Sequence, residues 1–274
     1  MSELISSDGV RLHYSVHGSG PMDVILLHGM GGSSSSWGLV LPHLDPGVFR
    51  ALVLDLRGHG RSKGGEARFT YAQVNADILA VADALRMPQA VVVGLSGSGK
   101  HAVWLAASAP DRVRGLVLVV PCGMGPVPLP REILAEVFDC VGRGGDTPPA
   151  LAALFTEKTG AHRELIVREF ARTSRAALDA SAELWVHTSI EKEAAHVTQP
   201  TLVLAGAREP LYHPEFQRQT TLASLPHARM EILDCGHFMT FEEPVAVAGA
   251  LGRLCASLAP TRQKETAAIQ RSAS

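Results

Sequence analysis

The stretch Ala90-Val91-Val92-Val93-Gly94-Leu95-Ser96-Gly97-Ser98-Gly99 constrains this chain more than any other. Its β-branched apolar run has the length of a strand covered on both faces, it stops at a glycine, and a helical pattern follows over residues 100–109. Strand, sharp turn and helix therefore meet within a few residues, with Ser96 at the apex. Only small residues, here Gly94 and Ser98, let the strand and helix backbones approach so closely. The Ser96 hydroxyl is expected to project above the sheet toward the N-terminus of the helix. There the helix dipole and free backbone N–H groups stabilise a forming negative charge. The pattern is G-x-S-x-S, with Gly99 one place later. Ser98 thereby supplies a second hydroxyl and is the rival nucleophile.

Further apolar runs surround this turn. Residues 3–6 and 10–16 read as a hairpin about Asp8-Gly9. Residues 24–27, 51–54, 115–120, 201–206 and 228–233 read as strands, most of them solidly apolar and so buried on both faces. Helical spacing covers residues 70–85, with Val74, Ile78, Val81 and Leu85 on one face and Thr70 as N-cap, and recurs at 36–44, 214–225 and 244–258. Strands alternating with helices predict an α/β fold with a mostly parallel, doubly wound sheet. From residue 122 to 197 the texture changes. Gly and Pro are frequent as far as Pro130, and helical segments follow near 131–141, 149–158, 162–172 and 176–190, with no strand. We read 122–197 as a helical cap inserted into a core formed by 1–121 and 198–258, with a polar tail over 259–274 expected to be disordered.

Composition narrows the function. With 274 residues, 46% of them hydrophobic, the chain suits one large α/β domain carrying an insertion. A formal net charge of -2 implies neither nucleic acid nor a membrane surface as partner. No apolar run approaches the ~20 residues that span a bilayer. Residues 1–9 include Glu3 and Asp8 and no basic region, unlike a signal peptide, so a cytoplasmic protein with a small-molecule substrate is expected. The cysteines Cys122, Cys140, Cys235 and Cys255 form no C-x-x-C pair and are expected as reduced thiols. Dispersed histidines without metal-ligand spacing predict no metal site, and no cofactor is expected.

The C-terminal ends of parallel strands share one edge of the sheet, where ligands bind. Loops at that edge carry His28-Gly29-Met30-Gly31-Gly32, Ser96, Ala207-Arg208-Glu209-Pro210 and Asp234-Cys235-Gly236-His237. A serine hydroxyl needs a base to become a nucleophile. Histidine, with an ordinary pKa of ~6.5, serves near neutral pH, which points to His237. A carboxylate should then hold the imidazole in its working tautomer. Glu209 is the first candidate, with Glu231 and Asp234 as rivals. The Met30 N–H is a candidate donor to a developing oxyanion. His28, Asp55, Arg57 and His59 read as structural, fixing loops through hydrogen bonds and ion pairs.

The motifs His28-Gly29-Met30-Gly31, Asp55-Leu56-Arg57-Gly58-His59-Gly60-Arg61-Ser62, Gly94-Leu95-Ser96-Gly97-Ser98-Gly99 and Gly236-His237 together resemble those of the α/β-hydrolase fold, over roughly residues 4–258. The order Ser…acid…His is also that fold's. The resemblance implies Ser96 as nucleophile, His237 as base and Glu209 as acid in place of the more usual aspartate, with Met30 and Gly97 supplying the oxyanion-hole N–H groups. Gly29, Leu95, Phe238 and Trp185 are expected at the substrate, and part of the cap's apolar content (Phe138, Leu151, Leu154, Phe155, Phe170, Leu184) as pocket wall. The implied activity is cofactor-free hydrolysis of a carboxylic ester, lactone or thioester of a small to medium apolar substrate through an acyl-Ser96 intermediate. The same residues also suit C–C bond hydrolysis of a diketone, or cofactor-free oxygenase or perhydrolase chemistry. A hydrolase-like ligand receptor is a third reading. Dehalogenase and epoxide hydrolase chemistry is disfavoured, because those relatives carry Asp where this chain has Ser96. Epoxide hydrolases also use cap tyrosines, and residues 122–197 contain none.

Overall fold

The computed structural model describes residues 2–64, 69–142, 147 and 149–258, without the side chains of residues 140–142. The tail expected over 259–274 and the Cys140 thiol lie outside the described residues. Eight strands form one sheet: β1 (Ser2–Ile5), β2 (Arg11–His17), β3 (Met22–Leu27), β4 (Phe49–Leu54), β5 (Ala90–Leu95), β6 (Val113–Val119), β7 (Thr201–Gly206) and β8 (Arg229–Leu233). Their order is β1-β2-β4-β3-β5-β6-β7-β8, antiparallel at β1–β2 and β2–β4 and parallel from β4 onward. The expected mostly parallel, doubly wound sheet is therefore present.

The solid apolar runs explain why this sheet sits in the middle of the molecule. Successive side chains point to opposite faces. In β3, Leu27 joins a core with Leu52, Val92 and Leu118, while its neighbour Leu26 joins another with Val53, Val93 and Val117. Helices cover both faces. On the first lie α1 (Tyr71–Ala84), through Val74, Ile78 and Val81, and α2 (Ser98–Ser108), through Ala102 and Leu105. Thr70 caps α1, accepting the Gln73 N–H at 3.2 Å.

Between β6 and β7 lie α3 (Arg131–Gly142), α4 (Pro149–Ala152), α5 (Arg163–Arg172), α6 (Arg175–His187) and α7 (Glu191–Ala194), and no strand among the described residues. Then follow α8 (Pro214–Gln219), α9 (Thr221–Ser224), α10 (Met239–Glu242) and α11 (Pro244–Leu258), the last covering the second face through Val247 and Leu251. No helix among the described residues is long and apolar enough to cross a membrane.

Three expected helices are broken for local reasons. Residues 36–44 form two 3-10 turns, Ser34–Trp37 and Leu41–His43, because Pro42 has no N–H to continue a helix. The helix expected over 149–158 stops after Ala152, and a separate turn, Glu157–His162, starts at Thr156. The Thr156 hydroxyl accepts the Lys158 N–H at 3.2 Å while Thr159 Oγ1 accepts the Thr156 N–H at 3.0 Å, a reciprocal cap that begins a new element. Residues 214–225 divide at Thr220, whose hydroxyl donates to Phe216 O at 2.7 Å.

The loop after β4 is held by buried charge. The Arg57 side chain is fully buried and donates to both Asp77 carboxylate oxygens, at 2.7 and 2.8 Å, and to Asp8 at 3.0 Å. Asp55 accepts the Ser34 N–H at 2.5 Å and the Arg61 N–H at 2.9 Å. Arg57→Ala strands the Asp77 carboxylate inside the protein. The expected cost is about 3–5 kcal/mol, read as a lowered Tm by scanning calorimetry.

Candidate active site

The turn after β5 is set by its backbone. Ser96 has φ of 54°, in the left-handed region that costs a non-glycine residue ~1 kcal/mol or more. A Cβ on Gly94 would lie 2.6 Å from Gly99 Cα, so strand and helix touch there as bare backbone. A Cβ on Gly97 would lie 2.3 Å from the Trp185 ring. The Ser96 N–H donates to Val119 O at 2.8 Å and ties the turn to β6. Ser98 is fully buried, and its hydroxyl is directed at Leu27 O (3.0 Å) and Leu95 O (2.9 Å), which removes it as a nucleophile. Ser96 instead faces a cavity, and its hydroxyl has no hydrogen-bond partner among the described residues.

The loops after β7 and β8 bring Glu209 to His237. Glu209 Oε2 lies 2.8 Å from His237 Nδ1, while Oε1 accepts the N–H groups of Leu211 (2.9 Å) and Tyr212 (3.2 Å). The longer side chain thus folds back on its own loop. Burial by itself would raise the Glu209 carboxyl. The charge and hydrogen bond of His237, with those two amides, outweigh it and hold the carboxyl below its ordinary value. The rival acids are engaged elsewhere. Asp234 pairs with Arg208 at 2.7 Å and with Lys158 at 3.4 Å, and Glu231 pairs with Arg253 at 2.6 Å. The imidazole of His237 packs against Tyr212 and Phe238, with ring centroids 5.7 and 5.5 Å away, and lines the same cavity as Ser96.

The loop after β3 closes the other side. The Leu56 N–H donates to His28 Nε2 at 3.0 Å, so Nδ1 carries the ring proton and donates it to Gly29 O at 2.8 Å. Burial pushes the His28 pKa down, consistent with this neutral, structural imidazole. His59 is likewise buried, its Nδ1 3.0 Å from Arg57 O and its pKa pushed down to about 3 by burial. Gly29 sits against Leu95 O and Ser96 Cβ, both 3.3 Å from where its Cβ would be. Neither the Met30 nor the Gly97 amide has an acceptor among the described residues. Gly97 directly follows Ser96, and Met30 follows Gly29, whose Cβ position is the one 3.3 Å from Ser96 Cβ.

The cavity measures about 340 Å³. Gly29, Leu95 and Phe238 line it from the sheet edge, and Phe138, Leu151, Leu154 and Phe170 from the inserted helices. Phe155 stacks on Phe238 at 4.9 Å, behind the wall. Trp185 corrects the expectation that it meets substrate. It is fully buried in the core beside Phe69 and His101, backing Gly97, and its neighbour Val186 reaches the cavity instead. One step along a helix turns a side chain by about 100°, enough to exchange cavity for core.

Sequence reasoning missed Tyr212, Leu211 and Glu169 on this wall. A signal existed for Glu169, which falls at i+3 from Ile166 beside Phe170, on the apolar stripe of α5. Cys235 is buried and its thiol is pushed up to about 12 by that burial, so it is not a reactive thiolate. Among the described residues no three His, Cys, Asp or Glu side chains are grouped to hold a metal ion.

Comparison with known proteins shows the family. The 3-oxoadipate enol-lactonase 2 of Acinetobacter baylyi is 23% identical over 259 residues, covering 89% of this chain and 92% of that protein. A dihydrolipoyllysine-residue acetyltransferase component of the acetoin cleaving system of Cupriavidus necator is 38% identical over 120 residues, 43% of this chain, and the match spans 31% of that longer protein. The crystal structure of the enol-lactonase from Burkholderia xenovorans shares the fold, with a TM-score of 0.81 at 23% identity over 92% of this chain and 99% of that one. A model described as the alpha/beta hydrolase family matches residues 24–250. Matched over most of its length, the chain belongs to the alpha/beta hydrolase family.

Proposed function

We propose that this protein is a cofactor-free serine hydrolase that cleaves a carboxylic ester, lactone or thioester through an acyl-Ser96 intermediate. The observation that carries this reading is the buried Glu209–His237 contact of 2.8 Å, opening onto the cavity that holds the unpartnered Ser96 hydroxyl. Attack forms a bond from Ser96 Oγ to the substrate carbonyl carbon while His237 Nε2 takes the hydroxyl proton. The carbonyl electron pair moves to oxygen, where the Met30 and Gly97 N–H groups donate to it. One such donor is typically worth ~3 kcal/mol. Glu209 stabilises the imidazolium. Collapse breaks the bond to the leaving group, which takes the proton from Nε2. Water, with His237 again as base, then releases the acid and restores Ser96. In this reading residues 122–197 are the cap, and α3 and α5 close the acyl pocket.

Stopped-flow mixing with p-nitrophenyl esters of increasing acyl length tests this. A burst of p-nitrophenolate of about one equivalent is expected where deacylation is slower, with an acyl adduct on the Ser96 peptide by mass spectrometry. Folded protein that releases nitrophenolate from none of the esters, or an adduct on another residue, would remove the proposal.

A further inference from the structure

The charge pattern of the cavity says what kind of acyl group it takes. Glu169 is the one carboxyl side chain on the wall, and among the described residues no lysine or arginine lines it. Glu169 shares its face of α5 with Ile166 and Phe170, so the carboxylate is set into an otherwise apolar surface. It is held there. Oε2 accepts the Ser33 hydroxyl at 2.5 Å, and Oε1 accepts from Arg172 at 3.2 Å. The Glu169 side chain is 14% exposed while that of Arg172, which does not line the cavity, is 66% exposed, so the counter-charge stands in water and is screened. A carboxylate carried on the substrate would lose its hydration among aliphatic side chains, find no lysine or arginine among the described wall residues, and face a like charge.

We infer that the cavity selects uncharged acyl groups, with Glu169 as the specificity-determining residue that rejects substrates bearing a carboxylate. The inference rests on the proposed reading of the cavity as an acyl pocket. The substrate class is then a neutral aliphatic ester or lactone. Such a substrate is unlike the 3-oxoadipate, a dicarboxylate, in the name of the Acinetobacter relative.

Methyl p-nitrophenyl suberate and mono-p-nitrophenyl suberate differ only at the far end, where one carries a methyl ester and the other a carboxylate. Their binding to Ser96→Ala protein is measured by titration calorimetry at low salt, with wild-type turnover of both followed in parallel. The neutral diester is expected to bind about 30-fold more tightly, the effect of a like charge several ångströms away in a partly screened site. In Ser96→Ala protein that also carries Glu169→Gln, the preference shrinks severalfold. Equal binding, tighter binding of the monoanion, no binding of the diester, or a preference unchanged by Glu169→Gln would overturn the inference. Should that variant fail to fold, the preference is measured again at raised ionic strength: repulsion by Glu169 shrinks with salt, and a preference unchanged by salt would overturn the inference. Selective binding without wild-type turnover of either ester leaves charge selection standing and removes the ester-hydrolase reading instead.

Discussion

Ser96→Ala lowers kcat/KM for the best p-nitrophenyl ester by roughly ten-thousand-fold or more, while the protein keeps its fold. The size follows from the proposed reaction. Without the hydroxyl there is no acyl-enzyme, and what remains is binding and oxyanion stabilisation, with water as the only nucleophile. The fold survives because the Ser96 hydroxyl has no partner to orphan, and alanine tolerates the φ of 54° no worse than serine does. Glycine at this position separates strain from chemistry. Ser96→Gly is equally inactive, yet relieves the left-handed backbone and raises stability by about 1 kcal/mol. Ser98→Ala gives the reverse pattern. Turnover persists while stability falls by about 1 kcal/mol, because a hydroxyl buried against Leu27 O and Leu95 O is lost. Loss of turnover in Ser98→Ala with normal activity in Ser96→Ala would exchange the two roles. Steady-state kinetics and thermal melts of the three variants decide it.

The turn was legible because its requirements are local. A buried strand, a small residue at Gly94 and a helix start leave one geometry, and the backbone approach that would put a Gly94 Cβ 2.6 Å from Gly99 Cα is the constraint the pattern encodes. The sheet was legible for a similar reason, since runs such as Val91-Val92-Val93 fit only a strand covered on both faces. The carboxylate that meets His237 was half legible. The loop position favoured Glu209, but only the structure pairs Asp234 with Arg208 and Lys158, away from His237. The inserted helices were the least legible part. Their existence follows from periodicity, yet which flank of α6 meets the cavity depends on packing against partners distant in sequence. Trp185 and Val186, adjacent in the chain, divide between core and wall. Helix ends failed where a proline or a threonine hydroxyl offered the backbone a competing arrangement, as at Pro42, Thr156 and Thr220.

Glu209→Gln is expected to cost about a thousandfold or more in kcat, although the side chain keeps its length. Glu209 divides its oxygens between two tasks. Oε1 accepts the amides of Leu211 and Tyr212, and Oε2 lies against His237 Nδ1. Glutamine has one acceptor. If its oxygen stays with the two amides, its NH2 faces Nδ1 and drives the ring proton to Nε2, the atom that takes the Ser96 proton in the proposed reaction. If the oxygen turns to His237, the NH2 meets two N–H donors and the loop is destabilised. Glu209→Asp retains the charge but is one methylene short, so it spans only one of the two contacts and loses on the order of a hundredfold. The pH dependence of stability reports on Glu209. Its carboxyl is held below its ordinary value, so its contribution to stability is complete above the unfolded-state carboxyl pKa and is lost as pH falls through the lower folded one. A series of thermal melts at falling pH should therefore show a loss of Tm in the wild type that Glu209→Gln lacks. A Glu209→Gln variant within tenfold of wild-type kcat would displace Glu209 from this role and make Asp234 the next acid to replace.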